Sequence, residues 1–166
     1  MYNKNNLAVA KVVSKSPVRL ELGCVAFHGN RTVATDSFRL IEVSADGKKK
    51  KTPVLYFGKE LSKVKLKKGE TIGEERLENA LAPLHGDKYP LTDTLFDRLK
   101  GKKYVEVRIN AEYLADICSV LKELDPFNAI TLKVPVSGYE PVVIEADDKK
   151  SNGTQTARAL LMPMTN

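Results

Sequence analysis

Residues 31–45, RTVATDSFRLIEVSA, contain the pattern that decides the fold of the amino-terminal part of the chain. The runs RTVATD (31–36) and FRLIEVSA (38–45) predict two short β-strands. Gly29-Asn30, just before them, is a hairpin turn signal. The preceding stretch 18–28, VRLELGCVAFH, alternates apolar and polar residues and predicts a half-buried strand.

A helix is expected upstream of these strands. Residues 5–14, NNLAVAKVVS, place apolar side chains at helical spacing. Pro17 is expected to end the helix. The first third of the chain therefore predicts the order helix, strand, strand, strand.

The stretch 102–164 repeats that order after a strand of its own, KKYVEVRIN at 102–110. Asn110 is placed to cap a helix of about three turns, which Asp125-Pro126 ends. Its apolar stripe is formed by Leu114, Ile117, Cys118 and Leu121. Three further strands are predicted in 129–136, 140–146 and 155–164, with turns at Ser137-Gly138 and Asn152-Gly153.

The middle of the chain, 47–101, is different. PVLYF (53–57) is compatible with a strand and KELSKVK (59–65) with one or two turns of basic helix, but 66–98 shows no sustained period. Nine lysines and one acid between positions 48 and 68 give this part a charge of +8, against +6 for the whole chain. This run is either a solvated loop or a flexible basic arm for a polyanion, most plausibly nucleic acid.

Catalysis and membrane insertion are not indicated. His28 and His85 are the only histidines, neither has metal-ligand spacing, and phosphate-binding or nucleophile motifs are absent from the sequence. We therefore expect no enzyme activity, no metal and no cofactor. No window approaches the ~18 apolar residues of a membrane helix, and no signal peptide is recognisable, so we expect a cytoplasmic protein.

The chain end, LLMPMTN at 160–166, is unusually apolar for a terminus. Two Leu and two Met are worth roughly 1.5–3 kcal/mol each when buried. Either this end closes a core, or it lines a place where another molecule binds.

Four segments resemble parts of the bacterial sliding clamp, the beta subunit of DNA polymerase III. RTVATDSFRLIEV (31–43) is similar to a hairpin in the clamp's second domain. VEVRINAEYLADICSVLKEL (105–124) and LMPM (161–164) are similar to the closing half of its third domain. Lys88-Tyr89-Pro90 sits where the family has an aromatic–Pro step.

The resemblance implies an α+β fold of the DNA-clamp type, with two helix-plus-antiparallel-sheet half-repeats. On this interpretation residues 1–166 form one reduced clamp-like domain: a first half-repeat (1–46), a basic insertion or degenerate element (47–101) and a second half-repeat (102–166). In the family, six such domains surround duplex DNA with their helices inward. A ring made of single-domain chains would need a homo-hexamer.

The resemblance also implies an apolar cleft for short linear peptides of polymerases and other partners. Flexible Met side chains suit varied Leu or Phe anchors, and Arg39 can hydrogen-bond a peptide carbonyl or carboxylate. Where the family typically has Gly-His, this chain has Ser37-Phe38. The alternative is that Leu161 and Met164 are core-facing strand residues. The matched cleft residues are Thr35, Ser37, Phe38, Arg39, Leu40, Leu160, Leu161, Met162, Pro163 and Met164.

DNA contact is expected from lysines, since phosphate neutralisation supplies most non-specific affinity. The candidates are Lys4, Lys11 and Lys15 on the first helix and Lys48, Lys49, Lys50 and Lys51 in the basic run. The helix at 111–123 is acidic instead, with Glu112, Asp116 and Glu123. Two functions remain open: a processivity factor on duplex DNA without sequence preference, or a clamp-derived interaction adaptor that does not encircle DNA.

Overall fold

The structure is a computed structural model, and it describes residues 1–16, 18–84, 89–90, 92–122, 128–137, 139–147 and 156–164. The chain divides into two compact units, Met1–Asp97 and Arg98–Asn166. Several predictions lie outside the described residues: the helix stop at Pro17, the stop at Asp125-Pro126, the turn at Asn152-Gly153, and the parts played by Lys88, Gly138 and Glu123.

The first third of the chain keeps the predicted order of one helix and three strands, and further short elements occur before, between and after them. In chain order, the elements up to Leu99 are β1 (Tyr2–Asn3), α1 (Lys4–Ala8) with a 3-10 turn (Val9–Val12), a second 3-10 turn (Leu20–Gly23), β2 (Cys24–Phe27), β3 (Arg31–Thr35), β4 (Leu40–Ser44), β5 (Val54–Phe57), α2 (Gly58–Leu61), β6 (Thr71–Ile72), α3 (Glu74–Ala80) and α4 (Asp93–Leu99).

A four-stranded antiparallel sheet in the order β4-β3-β2-β5 forms the centre of the first unit. The predicted turn at Gly29-Asn30 is confirmed: His28 N donates to Arg31 O at 2.9 Å, and Gly29 has φ +82°. A side chain is strained in that conformation, which explains the glycine. A separate two-stranded pair joins β1 to β6.

The prediction of one strand over 18–28 is wrong for its first half. Residues Leu20–Gly23 form a 3-10 turn, and only Cys24–Phe27 are extended. Val18 is 86% and Leu20 58% exposed, so their alternation does not mark a buried face. All four residues of β2 are buried, because the strand lies inside the sheet between β3 and β5.

The core of the first unit draws on both ends of its sequence. Tyr2 and Tyr56 each meet the Phe27 ring edge-on, with centroids 4.7 and 5.2 Å away. Leu61 of α2 and Leu77 of α3 are fully buried in the same cluster. The expected irregular insertion at 47–101 is therefore not confirmed, since this stretch supplies a sheet strand and core side chains.

The second unit combines one helix with a three-stranded antiparallel sheet. The strands are β7 (Thr131–Lys133), β8 (Val142–Asp147) and β9 (Thr156–Leu161), in the order β7-β8-β9, and α5 (Ala111–Leu121) shares a core with β8 and β9. The predicted cap is confirmed, because Asn110 Oδ1 accepts from Glu112 N at 2.9 Å. So is the apolar stripe: Leu121 is buried, and Leu114 and Ile117 pack against the same core.

The prediction of a strand over 102–110 is wrong. No strand is assigned there, although Val107 and Ile109 pack on the core and Met164 N donates to Arg108 O at 2.7 Å. An isolated backbone bond does not make a ladder, and β9 has already ended at Leu161. The apolar-polar alternation of 102–110 therefore marks side chains that pack on the core, although the segment does not pair in a sheet.

Candidate functional site

A cleft of about 730 Å³ opens in the first unit between two segments that each contain a short helix. One segment is α1 with the residues that follow it to Ser16, and the other runs from Phe57 through α2 to Leu66. We call this site the basic cleft. Its lysines are Lys4, Lys11, Lys15, Lys59 and Lys65, and no carboxylate occurs among the described residues that line it.

The floor of the basic cleft is apolar. Leu7 and Leu61 are buried at its base, and Leu20 is 58% exposed at its edge. The remaining apolar lining comes from Ala8, Ala10, Val13, Phe57, Val64 and Leu66. The site therefore combines an apolar interior with cationic side chains drawn from both segments.

Two local features build the cleft: the cap that begins α1, and a glycine that lets the two segments come close. Asn3 caps α1 by accepting from Asn5 N at 2.9 Å and Asn6 N at 3.2 Å. At the start of α2, a Cβ on Gly58 would lie 2.6 Å from Val13 Cγ2. Only glycine permits this approach, which brings α2 against the end of the first segment.

Three of the seven lysines predicted to contact DNA line the basic cleft: Lys4, Lys11 and Lys15. The run Lys48–Lys51 does not. Lys50 instead forms an ion pair with Glu74 at 2.6 Å. Lys59 and Lys65 also line the cleft, and both lie in the stretch 59–65 that predicts a basic helix; the helix itself ends at Leu61.

The acidic helix predicted at 111–123 is α5, in the second unit. Within the described residues its exposed carboxylates are Glu112 and Asp116. In the first unit, the second segment of the basic cleft runs from Phe57 to Leu66. The charged residues with which it lines the cleft, Lys59 in α2 and Lys65 after α2, are both positive.

The β3–β4 turn holds one half of the predicted peptide cleft. Thr35 is buried, and its hydroxyl donates to Arg39 O at 2.8 Å. Asp36 accepts from Phe38 N at 3.1 Å and from Arg39 Nε at 2.9 Å. These bonds outweigh the opposing desolvation and hold the pKa of Asp36 below its ordinary value.

These hydrogen bonds fix a β3–β4 turn in which the aromatic ring of Phe38 is exposed to solvent. Phe38 is 98% exposed, and Ser37 has φ +80°. Leu40 is half-buried against a core cluster. Of the predicted cleft residues in this turn, only Phe38 offers a large apolar surface to solvent.

The chain end contains the other half of the predicted peptide cleft, and its residues divide between the core and the surface. Leu161 is buried with the core of the second unit, whereas Leu160 and Met162 are 66% and 62% exposed. Met164 is 49% exposed and Pro163 is half-buried. Neighbouring side chains of a strand point to opposite faces, which explains why Leu161 is buried and Leu160 is exposed. Since the turn and the chain end lie in different units, a joint cleft stays a prediction.

The described part of the chain offers little support for a metal site, a reactive thiol or a membrane-spanning helix. No group of three or more His, Cys, Asp or Glu side chains there could hold a metal ion. Burial, with the nearby Glu21 carboxylate, raises the pKa of Cys24 to about 11, so its thiol stays protonated near neutral pH. None of the helices in the described ranges has the length and apolar content needed to cross a membrane.

Comparison with known proteins gives a structural match only. No family model matches the sequence, and no curated protein matches it. A solved structure from Eubacterium rectale ATCC 33656, provisionally described as a DNA polymerase III beta subunit, is similar with a TM-score of 0.56 and 11% identity. The match covers 95% of this chain and 47% of that one, so the chain spans about half the length of that protein. The likeness shows a fold of the clamp type.

Proposed function

We propose that this protein is a clamp-like processivity factor that associates with duplex DNA and binds replication or repair partners. The observation that carries the proposal is the basic cleft, where five lysines from two segments surround one opening on a clamp-like fold. Lysines placed this way attract a phosphate backbone without reading its sequence.

The lysines of the cleft provide the test. We expect the combined substitution of Lys4, Lys11, Lys59 and Lys65 by Ser to weaken duplex binding equally for all sequences. The slope of log affinity against log salt should flatten by roughly one for each phosphate that the variant no longer neutralises. The matched control replaces Lys48, Lys49 and Lys51 by Ser, since these exposed residues do not line the cleft. If the control flattens the slope and the cleft variant does not, the loop and not the cleft binds DNA.

The exposed apolar residues of the chain end form the proposed partner site, and the β3–β4 turn of the other unit is a second candidate surface. Leu160, Met162 and Met164 leave apolar surface in water, and Phe38 does so on the turn. Such surface suits a short linear peptide with Leu or Phe anchors. Leu161 is left out of this proposal because it packs in the core.

Binding of a short Leu- and Phe-containing peptide tests the partner site. We expect Met162→Ala combined with Leu160→Ala to weaken binding at least about tenfold, because two anchors are removed. Val120→Ala is the matched control, since Val120 is a 68% exposed apolar residue of α5 and belongs to neither the chain end nor the β3–β4 turn. Equal affinities for all three proteins would contradict the assignment.

The alternative function is an adaptor that binds partners but does not surround DNA. The exposed carboxylates of α5 favour it, since a helix carrying Glu112 and Asp116 would repel phosphates if it faced them. Both functions use the same partner surface, so peptide binding does not separate them. Retention of the protein on closed circular DNA separates the two functions.

A further inference from the structure

The apolar floor of the basic cleft is not explained by DNA binding. A duplex presents phosphates and sugars, which engage the five lysines and leave the floor unused. Yet Leu20 is 58% exposed at the edge of the cleft, and Val13, Val64 and Leu66 are only half-buried in it. Apolar surface kept open to water between cations indicates an occupant that is itself amphipathic.

We propose that the basic cleft binds an acidic amphipathic helix of a partner protein. The apolar stripe of that helix lies on the floor, and its flanking carboxylates pair with the lysines. A helix in a groove is a recurrent mode of peptide recognition, and about 730 Å³ is enough room for the anchor side chains of one helical face.

The placement of the charges favours a helix over an anionic lipid. Lys4, Lys11 and Lys15 belong to the first segment, while Lys59 and Lys65 belong to the second. A fatty acid carries one carboxylate at one end, so it would use only part of this set. A helix with an acidic residue on each side of its apolar stripe offers partners to both segments at once.

The inference goes beyond the proposed DNA contact and does not depend on it. It uses the same lysines but adds the apolar floor, so the two kinds of ligand would compete for one site. An acidic helix bound in the cleft would then act as a regulator, because it excludes the DNA backbone from these lysines.

The test uses a fluorescein-labelled synthetic peptide of about 18 residues, with a Leu stripe at helical spacing and Glu on both flanks. Its binding to the full chain is followed by anisotropy without DNA. A peptide with Gln in place of every Glu controls for charge. We expect the Glu peptide to bind at least about tenfold more tightly, and Lys59→Ser with Lys65→Ser to remove most of that advantage.

A pair of surface variants tests the apolar floor of the cleft. Leu20→Ser should weaken binding of the Glu peptide about fivefold. Val18→Ser is the matched control, because Val18 is 86% exposed and does not line the cleft. Both substitutions are at exposed positions, so folding should survive.

Three results would overturn the inference: equal binding of the Glu and Gln peptides, no effect of Leu20→Ser, or displacement of the Glu peptide by oleate at stoichiometric concentration. The last result would assign the cleft to an anionic lipid. If duplex DNA fails to bind while the peptide result holds, the proposed DNA function is wrong and this site remains.

Discussion

At the scale of single residues, the buried amide of Asn6 joins α1 to the sheet. Its Nδ2 donates to Thr32 Oγ1 at 3.2 Å, Val43 O at 3.2 Å and Ser44 O at 2.9 Å. Its Oδ1 accepts from Asn3 N at 3.0 Å. The residue is fully buried, so its amide group depends on these partners for its hydrogen bonds.

We expect Asn6→Ala to lower the free energy of unfolding by about 2–3 kcal/mol, since it leaves buried polar groups without a partner. Denaturant unfolding measures this. Asn5→Ala, at an exposed position of the same helix, is the control and should cost less than about 0.5 kcal/mol. Similar losses in both variants would mean that Asn6 contributes only helix propensity.

A second residue-scale feature is the Tyr2–Glu74–Lys50 network. Tyr2 OH donates to Glu74 Oε1 at 2.8 Å, and Lys50 Nζ lies 2.6 Å from Glu74 Oε2. Burial alone would raise the pKa of Glu74, but the hydrogen bonds from Lys50 and Tyr2 outweigh it and hold the pKa below its ordinary value.

A depressed carboxyl pKa gives stability that is present above the unfolded-state pKa, about 4.3 for Glu, and is lost as pH falls through the folded-state value. Glu74→Gln should therefore destabilise the protein at pH 7 by about 0.5–1 kcal/mol, a modest value because solvent screens a side chain 36% exposed. The difference from the unmodified protein should shrink as pH falls below about 4.3 and vanish below the folded-state pKa of Glu74. Unfolding curves at pH 7, 5 and 3 measure it, with Glu75→Gln as the control. A difference of the same size at all three pH values would contradict the ionic origin.

At the scale of elements, the β3–β4 hairpin shows how a local pattern and a strained position coexist. The strands pair from Arg31↔Ser44 to Thr35↔Leu40, as the two predicted runs require. The turn between them needs Ser37 at φ +80°. Asp36 compensates by accepting from the backbone and side chain of Arg39.

We expect Ser37→Gly to stabilise the protein by up to about 1 kcal/mol, because glycine adopts positive φ without a steric penalty. The gain is reduced by the greater freedom of glycine in the unfolded chain. Thermal unfolding measures it, with Ser37→Ala as the control that removes the hydroxyl but keeps the strain. A loss of stability in the glycine variant would show that the Ser37 side chain stabilises the turn by more than the strain costs.

Elements were predictable where adjacent residues contain the signal. Asn110 and the stripe on α5 define a helix and its start, and Gly29 defines a turn. The segments 18–23 and 102–110 alternate like strands but are not, since strand formation needs a backbone partner elsewhere in the chain. Alternation within a segment contains no information about that partner.

At the scale of the whole molecule, the two proposed functions differ in whether the protein surrounds DNA. A clamp-like fold is shared by a ring-forming factor and by an adaptor, so the fold does not decide between them. A closed ring is held on DNA by topology, whereas an adaptor is held only by the groups that touch the DNA.

For the ring function, we expect an assembly that stays on nicked circular DNA at high salt but leaves when the same DNA is linearised. The reason is that salt weakens phosphate binding but does not open a closed ring. Gel filtration on the DNA measures retention, and light scattering gives the mass of the assembly. Equal dissociation from circular and linear DNA, with a monomer or dimer in solution, would support the adaptor.

The sequence by itself determined the order of one helix and three strands in 1–46 and again in 111–164, the β2–β3 turn, the cap and apolar stripe of α5, and the apolar character of the chain end. These depend on residues that are neighbours along the chain or one helical turn apart. Only the tertiary structure decided that Leu161 is buried while Leu160 and Met162 are exposed, and that Lys11 and Lys59 line one cleft. Both outcomes depend on which distant segment packs against a residue, and local spacing does not encode that choice.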